Sequence, residues 1–242
     1  NVLKNINETW MAYWYVTELK KTLRECCCRY KALVIMALYF VVYMTVFFYL
    51  EQRNTSYYVI RFGIDAYIPF CEYFIVPYFL WFAYVALAVV YFGIKDREEG
   101  NKMIAFLIVG MTVFLIVSAV FPNGHHLRPK NFERDNIFID MVKKLYIADT
   151  STNVLPSIHV YNSLAVMIAV WRTKLLKKHR VIKASLMLLG VSIICSTVLL
   201  KQHSMLDVLV AFMLGALVYV ICYRDEVAIH ASIARTKAKI KV

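Results

Sequence analysis

Two short stretches of the 242-residue chain hold the side chains best suited to chemistry. Residues 155–163, LPSIHVYNS, place His159 at the edge of an apolar run. Residues 196–208, STVLLKQHSMLDV, place His203 four positions before Asp207. In a helix that spacing stacks the two on one face, so the carboxylate holds the imidazole in one tautomer and raises its basicity. Such a pair suits a nucleophile or a base. With Arg128 upstream, these groups are the parts for phosphoryl transfer through a covalent phosphohistidine. In that chemistry His203 attacks phosphorus, and Asp207 orients it and stabilises the imidazolium. His159 protonates the leaving alcohol oxygen, then activates a water or an acceptor hydroxyl. Pro156 and Ser157 open a helix whose free N–H groups, with the Ser157 hydroxyl, hold phosphate oxygens. Arg128 adds a bidentate clamp on those oxygens.

The elements that position these groups follow from composition. The chain is 61% hydrophobic and 15% aromatic, with only 7 Gly and 5 Pro, too apolar for an ordinary soluble domain. Apolar runs near 30–50, 77–95, 102–121, 157–171, 181–200 and 205–223 predict an all-α polytopic membrane protein, a six-transmembrane-helix bundle. The fourth run is short and holds Ser157, His159, Asn162 and Ser163, polar groups that must face protein or water rather than lipid. The net charge of +12 lies in short basic blocks between apolar runs, the pattern of membrane topology signals and not of a nucleic-acid footprint.

Six spans put both termini on one side. Only Arg53, Arg61, Arg128, Lys130, Arg134, Lys143, Lys144 and Lys201, eight of the 28 Lys and Arg, fall on the other. The positive-inside rule therefore expects cytoplasmic termini and an extracytoplasmic site. Residues 1–29 mix Trp10, Trp14 and Leu19 with Lys20, Lys21 and Arg24, in the wrong order for a cleaved signal peptide; an N-terminal interfacial helix is expected, followed by a membrane domain over 30–223 and a basic cytoplasmic tail over 224–242. In the outer loop 122–156, Ile137, Met141, Val142 and Leu145 recur at helical spacing and predict a short interfacial helix that guides lipid entry or caps the bundle. His125 and His126 read as a solvated loop pair. The six cysteines give no disulfide framework, and the outer acids form neither a carboxylate cluster nor a Cys/His spacing, so no metal and no cofactor is expected.

HLRP, LPSIH and HSMLDV, in this order, resemble the three signature motifs of the type 2 phosphatidic acid phosphatase superfamily, KxxxxxxRP, PSGH and SRxxxxxHxxxD. The resemblance implies a six-span bundle with its site at the outer face, His203 as nucleophile, Asp207 as its partner, His159 as general acid, and Ser157 and Arg128 as phosphate ligands. The chain departs from the pattern at Phe121, Ile158 and Thr197, where the family has Lys, Gly and Arg; Lys201 or Lys130, or the two loop histidines, stand as replacements for the missing cations. PSxH with a bulky third residue is similar to the branch containing inositol phosphorylceramide and sphingomyelin synthases, as is IDAYIPFCEYFIVPY at residues 64–78. Three functions remain open: a metal-independent lipid phosphatase acting on a membrane phospholipid or isoprenoid phosphate, a lipid head-group phosphotransferase, and a non-catalytic membrane scaffold. The sequence leaves the oligomeric state open.

Overall fold

The computed structural model describes residues 30–223; the expected interfacial helix and the basic tail lie outside the described residues. Seven α-helices follow in order: α1 (Tyr30–Glu51), α2 (Ile75–Lys95), α3 (Arg97–Val120), α4 (Ile137–Ala148), α5 (Ile158–Arg172), α6 (Arg180–Leu199) and α7 (Met205–Cys222). Their bounds fall within a few residues of the apolar runs. The protein is an all-α, multi-pass membrane protein: α1, α3, α6, α7 and the stretch Glu72–Lys95 containing α2 are long and apolar enough to cross a bilayer. The outward faces agree, since Leu38, Val41, Leu87, Leu188, Met213 and Leu217 are all exposed.

α5 is the short, polar fourth run of the sequence. With 15 residues it measures about 22 Å at 1.5 Å per residue, short of a hydrocarbon core of about 30 Å. It packs against α2, α3, α6 and α7, and buries nine of its residues. An enclosed helix needs no lipid-facing surface, so its Asn162 and Ser163 are tolerated. Gly110 of α3 permits the closest of these contacts: a Cβ there would lie 1.9 Å from the Tyr161 ring. The Tyr161 hydroxyl donates to the Phe106 carbonyl at 2.9 Å and the two rings stack, locking α5 to α3.

Local sequence sets the helix ends. Asp96 is the one residue between α2 and α3, and its carboxylate accepts from Glu99 N–H. Asn136, Ser157 and Ser204 cap α4, α5 and α7 through their side-chain oxygens. The loop helix expected from residues 137–145 is α4. It buries Ile139, Val142 and Leu145, the last two packed with Ile75, Tyr78 and Leu200 in a second small core over one end of the bundle, while Ile137 points outward. At the same end a two-residue parallel ladder, β1 (Tyr58–Val59) with β2 (Asn123–Gly124), ties the α1–α2 and α3–α4 connections together. The Asn123 carboxamide oxygen accepts from Val154 and Leu155 N–H, fixing the approach to Ser157.

Candidate active site

The N-termini of α5 and α7 meet beneath this cap. Ser157 N–H donates to the Asp207 carbonyl at 3.4 Å, so the two helix starts lie side by side with their positive dipole ends together. Ser157 is fully buried, and its hydroxyl oxygen accepts from Val160 N–H. One residue into α5, the His159 ring packs between two rings of α2: its centroid is 4.4 Å from that of Tyr78 and 4.2 Å from that of Trp81. The His203 ring centroid lies 6.0 Å from that of His159.

His203 and Asp207 are brought together differently from the expected helix face. His203 belongs to the turn between α6 and α7, two residues before α7 begins, whereas Asp207 is the third residue of that helix. A reciprocal capping box joins them: Asp207 Oδ2 accepts from Ser204 N–H at 2.8 Å, and Ser204 Oγ accepts from Leu206 N–H at 3.2 Å. The box sets Asp207 Oδ2 at 3.4 Å from His203 Nδ1 and leaves Nε2 as the nitrogen away from the carboxylate.

Buried polar atoms without a hydrogen-bond partner gather here. Among the described residues they include Trp81 Nε1, Arg128 Nε, His159 Nε2, Gln202 Nε2, His203 Nδ1 and Asp207 Oδ1, with Asn162 Oδ1 one turn farther along α5. Buried polar groups are ordinarily satisfied, and a cluster that is not satisfied internally is matched to something from outside.

Arg128 is present, but its fork is engaged. It donates to the Tyr146 carbonyl at 3.1 Å, to the Thr150 carbonyl at 2.7 Å and to Gln202 Oε1, and its guanidinium lies over the Tyr146 ring at 4.5 Å. Lys201 does not join it: its ammonium donates to the Asp65 and Ile68 carbonyls. Lys130 is exposed. The solvated histidine pair is half right. His126 is exposed, but His125 is fully buried, with Nδ1 accepting from Leu127 N–H at 3.2 Å and Nε2 2.7 Å from the Gln202 carbonyl. The first bond puts the proton on Nε2, which then donates to the carbonyl. Burial pushes the His125 pKa down to about 4, so near neutral pH it is an uncharged strut under the His203 turn.

Sequence reasoning missed Tyr78, Trp81, Asp149, Gln202 and Asp65. Tyr78 donates from its hydroxyl to Asp149 Oδ2 at 3.0 Å while its ring supports His159. Burial pushes the Asp149 carboxyl above its usual range, opposed by the Tyr78 hydroxyl, His203 and Arg128. Asp65 is a buried acid in an otherwise apolar stretch, IDAYIPFC, and an acid with no adjacent counter-ion in such a run is a usable signal. No group of three or more His, Cys, Asp or Glu side chains among the described residues is arranged to hold a metal ion. A groove of about 290 Å³ lined by Phe70, Glu72, Phe132 and Arg134 opens to one side and includes none of the histidines.

Residues 127–230, which hold Arg128, Ser157, His159, His203 and Asp207, match the family model described as the PAP2 superfamily. Members of that superfamily are phosphatases and phosphotransferases, and the match supports an enzyme of this general kind. No curated protein and no solved structure matches the chain.

Proposed function

We propose that the protein is an integral membrane lipid phosphatase that cleaves a lipid phosphomonoester or pyrophosphate through a phosphohistidine on His203. The observation that carries this reading is the group of unpartnered polar atoms on His159, His203, Asp207 and Arg128 at two adjoining helix N-termini. His203 Nε2 forms the N–P bond as the bond from phosphorus to the lipid or leaving-phosphate oxygen breaks, and that oxygen takes its proton from His159. Asp207 stays ionised, accepts a hydrogen bond from Nδ1–H and offsets the positive charge on the ring. Water then loses a proton to His159 and attacks phosphorus, releasing phosphate and neutral His203. The helix starts and Arg128 Nε supply the charge that the phosphoryl oxygens need. By the distribution of Lys and Arg, the site faces away from the cytoplasm.

A second reading has its own support. Arg128 hydrogen-bonds within the cluster, but Lys201 is bound to carbonyls and Lys130 is exposed. A phosphodiester carries one negative charge where a phosphomonoester carries up to two, so it needs fewer cations. That favours a head-group transferase, in which a lipid hydroxyl replaces water in the second step. The distinguishing experiment gives the protein phosphatidic acid, an isoprenyl pyrophosphate and phosphodiester lipids in mixed micelles, the last with and without diacylglycerol or ceramide. Phosphate release lost in His203→Ala supports the phosphatase. A new lipid formed only with an acceptor supports the transferase, and neither product overturns both.

A further inference from the structure

The turn that carries His203, residues 200–204, is held from outside its own helices to a degree that chain connectivity does not require. Asp65 reaches it from the α1–α2 connection, 139 positions away: Oδ2 accepts from the Ser204 hydroxyl at 2.6 Å and Oδ1 from Met205 N–H at 2.8 Å. The same carboxylate accepts from Phe62 N–H at 2.8 Å, which pins it within its own segment. Lys201 closes the contact in the opposite sense, donating from the turn to the Asp65 and Ile68 carbonyls, with its backbone at φ 54°. Cys71 N–H donates to the Leu199 carbonyl at 3.0 Å just beyond.

We propose that Asp65 and Lys201 form a two-way clamp that sets the position of His203, making them positioning residues for phosphoryl transfer. Met205 N–H is one of the unpaired donors at the start of α7, and Asp65 satisfies it from another segment. By accepting the Ser204 proton, Asp65 also orients that hydroxyl as the acceptor for Leu206 N–H. This keeps the capping box closed and Asp207 beside His203. A misplacement of about 1 Å at a reacting group costs on the order of 100-fold. Lys201 is thereby a tether and not a phosphate ligand.

The inference rests on His203 as the nucleophile, so its test includes His203→Ala. Wild type, Asp65→Asn, Lys201→Gln, His203→Ala and Tyr223→Phe are assayed on the lipid that wild type turns over, with kcat, KM and thermal midpoint measured for each. Tyr223→Phe is the control for stability lost at the far end of the bundle. Asp65→Asn and Lys201→Gln are expected to lower kcat about tenfold or more with KM within about twofold, while Tyr223→Phe leaves both unchanged. Where Asp65→Asn fails to fold, Lys201→Gln decides alone. A raised KM at unchanged kcat in Lys201→Gln makes it a phosphate ligand and overturns the clamp. So does wild-type kcat in either clamp variant, or a kcat loss that Tyr223→Phe matches at equal loss of midpoint. Activity in His203→Ala removes the nucleophile reading instead.

Discussion

The bundle has two polar clusters, one at each end, and they are built on opposite principles. Away from the histidines, Glu99 of α3 accepts from the Tyr223 hydroxyl at 2.6 Å and pairs with Arg172 Nε at 3.4 Å. Arg172 also donates to the Tyr219 hydroxyl and lies over the Tyr223 ring at 4.4 Å. Close by, the Thr173 hydroxyl donates to Asp96. None of these side chains carries a buried unpartnered atom among the described residues. At the histidine end the same kinds of group leave most of the buried unpartnered atoms among the described residues. A closed network stabilises an arrangement of helices; an open one at a pair of helix starts awaits a ligand. The difference marks a candidate site without reference to any motif.

The strongest way to break this contrast is to remove members of each cluster and measure turnover and stability together. His203→Ala and Asp207→Asn are expected to lower turnover by roughly a thousandfold or more while the folded protein survives in detergent. Near-normal rates in either variant would remove the assignment of nucleophile and partner. Arg172→Met should do the reverse. Breaking a buried ion pair costs about 3–5 kcal/mol, less here because Arg172 keeps 19% of its side-chain surface exposed. A fall in thermal midpoint with turnover per folded molecule within about twofold of wild type is the expected outcome. A selective loss of turnover would show that the far cluster also serves the reaction.

Tyr78→Phe sharpens the comparison with a smaller effect. It deletes the hydrogen bond to Asp149 but keeps the ring against His159. If Asp149 helps hold the charge pattern around His159 and His203, turnover falls roughly three- to tenfold; if the aromatic support alone matters, it does not change.

Much of the molecule was legible because the bilayer imposes a simple pattern. Five long apolar runs read directly as spans, and α5 read as short and polar because four neighbouring helices relieve it of a lipid face. His159, His203, Asp207, Arg128 and Ser157 could be picked out as candidates by type and order. The supporting groups could not: Asp65 reaches the His203 turn from a remote segment, Gln202 matters through His125 and Arg128, which meet it from the α3–α4 connection, and Tyr78 and Trp81 lie in a run that reads as plain hydrophobic span. The i, i+4 spacing of His203 and Asp207 gave the right partners for the wrong geometric reason, since a capping box rather than a helix face joins them. Lys201 read as a phosphate cation because charge is visible in sequence, whereas the carbonyls that hold it are not.

His125 offers the subtlest comparison, because its ring supports the His203 turn and the proposed chemistry does not use it. In the native state burial lowers its pKa from 6.5 to about 4. In the unfolded chain it protonates near 6.5, so between these values the unfolded state binds more protons than the native one. Its neutral form therefore contributes stability that is complete above about pH 6.5 and lost as pH falls through 4. At about 1.4 kcal/mol per unit, the shift corresponds to roughly 3 kcal/mol over the window. Thermal midpoints taken from pH 7 to pH 4 should fall in wild type and fall less steeply in His125→Gln, whose carboxamide does not titrate but can still donate to the Gln202 carbonyl. Equal slopes would place the acid sensitivity elsewhere. A shallower slope with near-wild-type turnover at pH 7 would separate the groups that hold the His203 turn up from those that react on it.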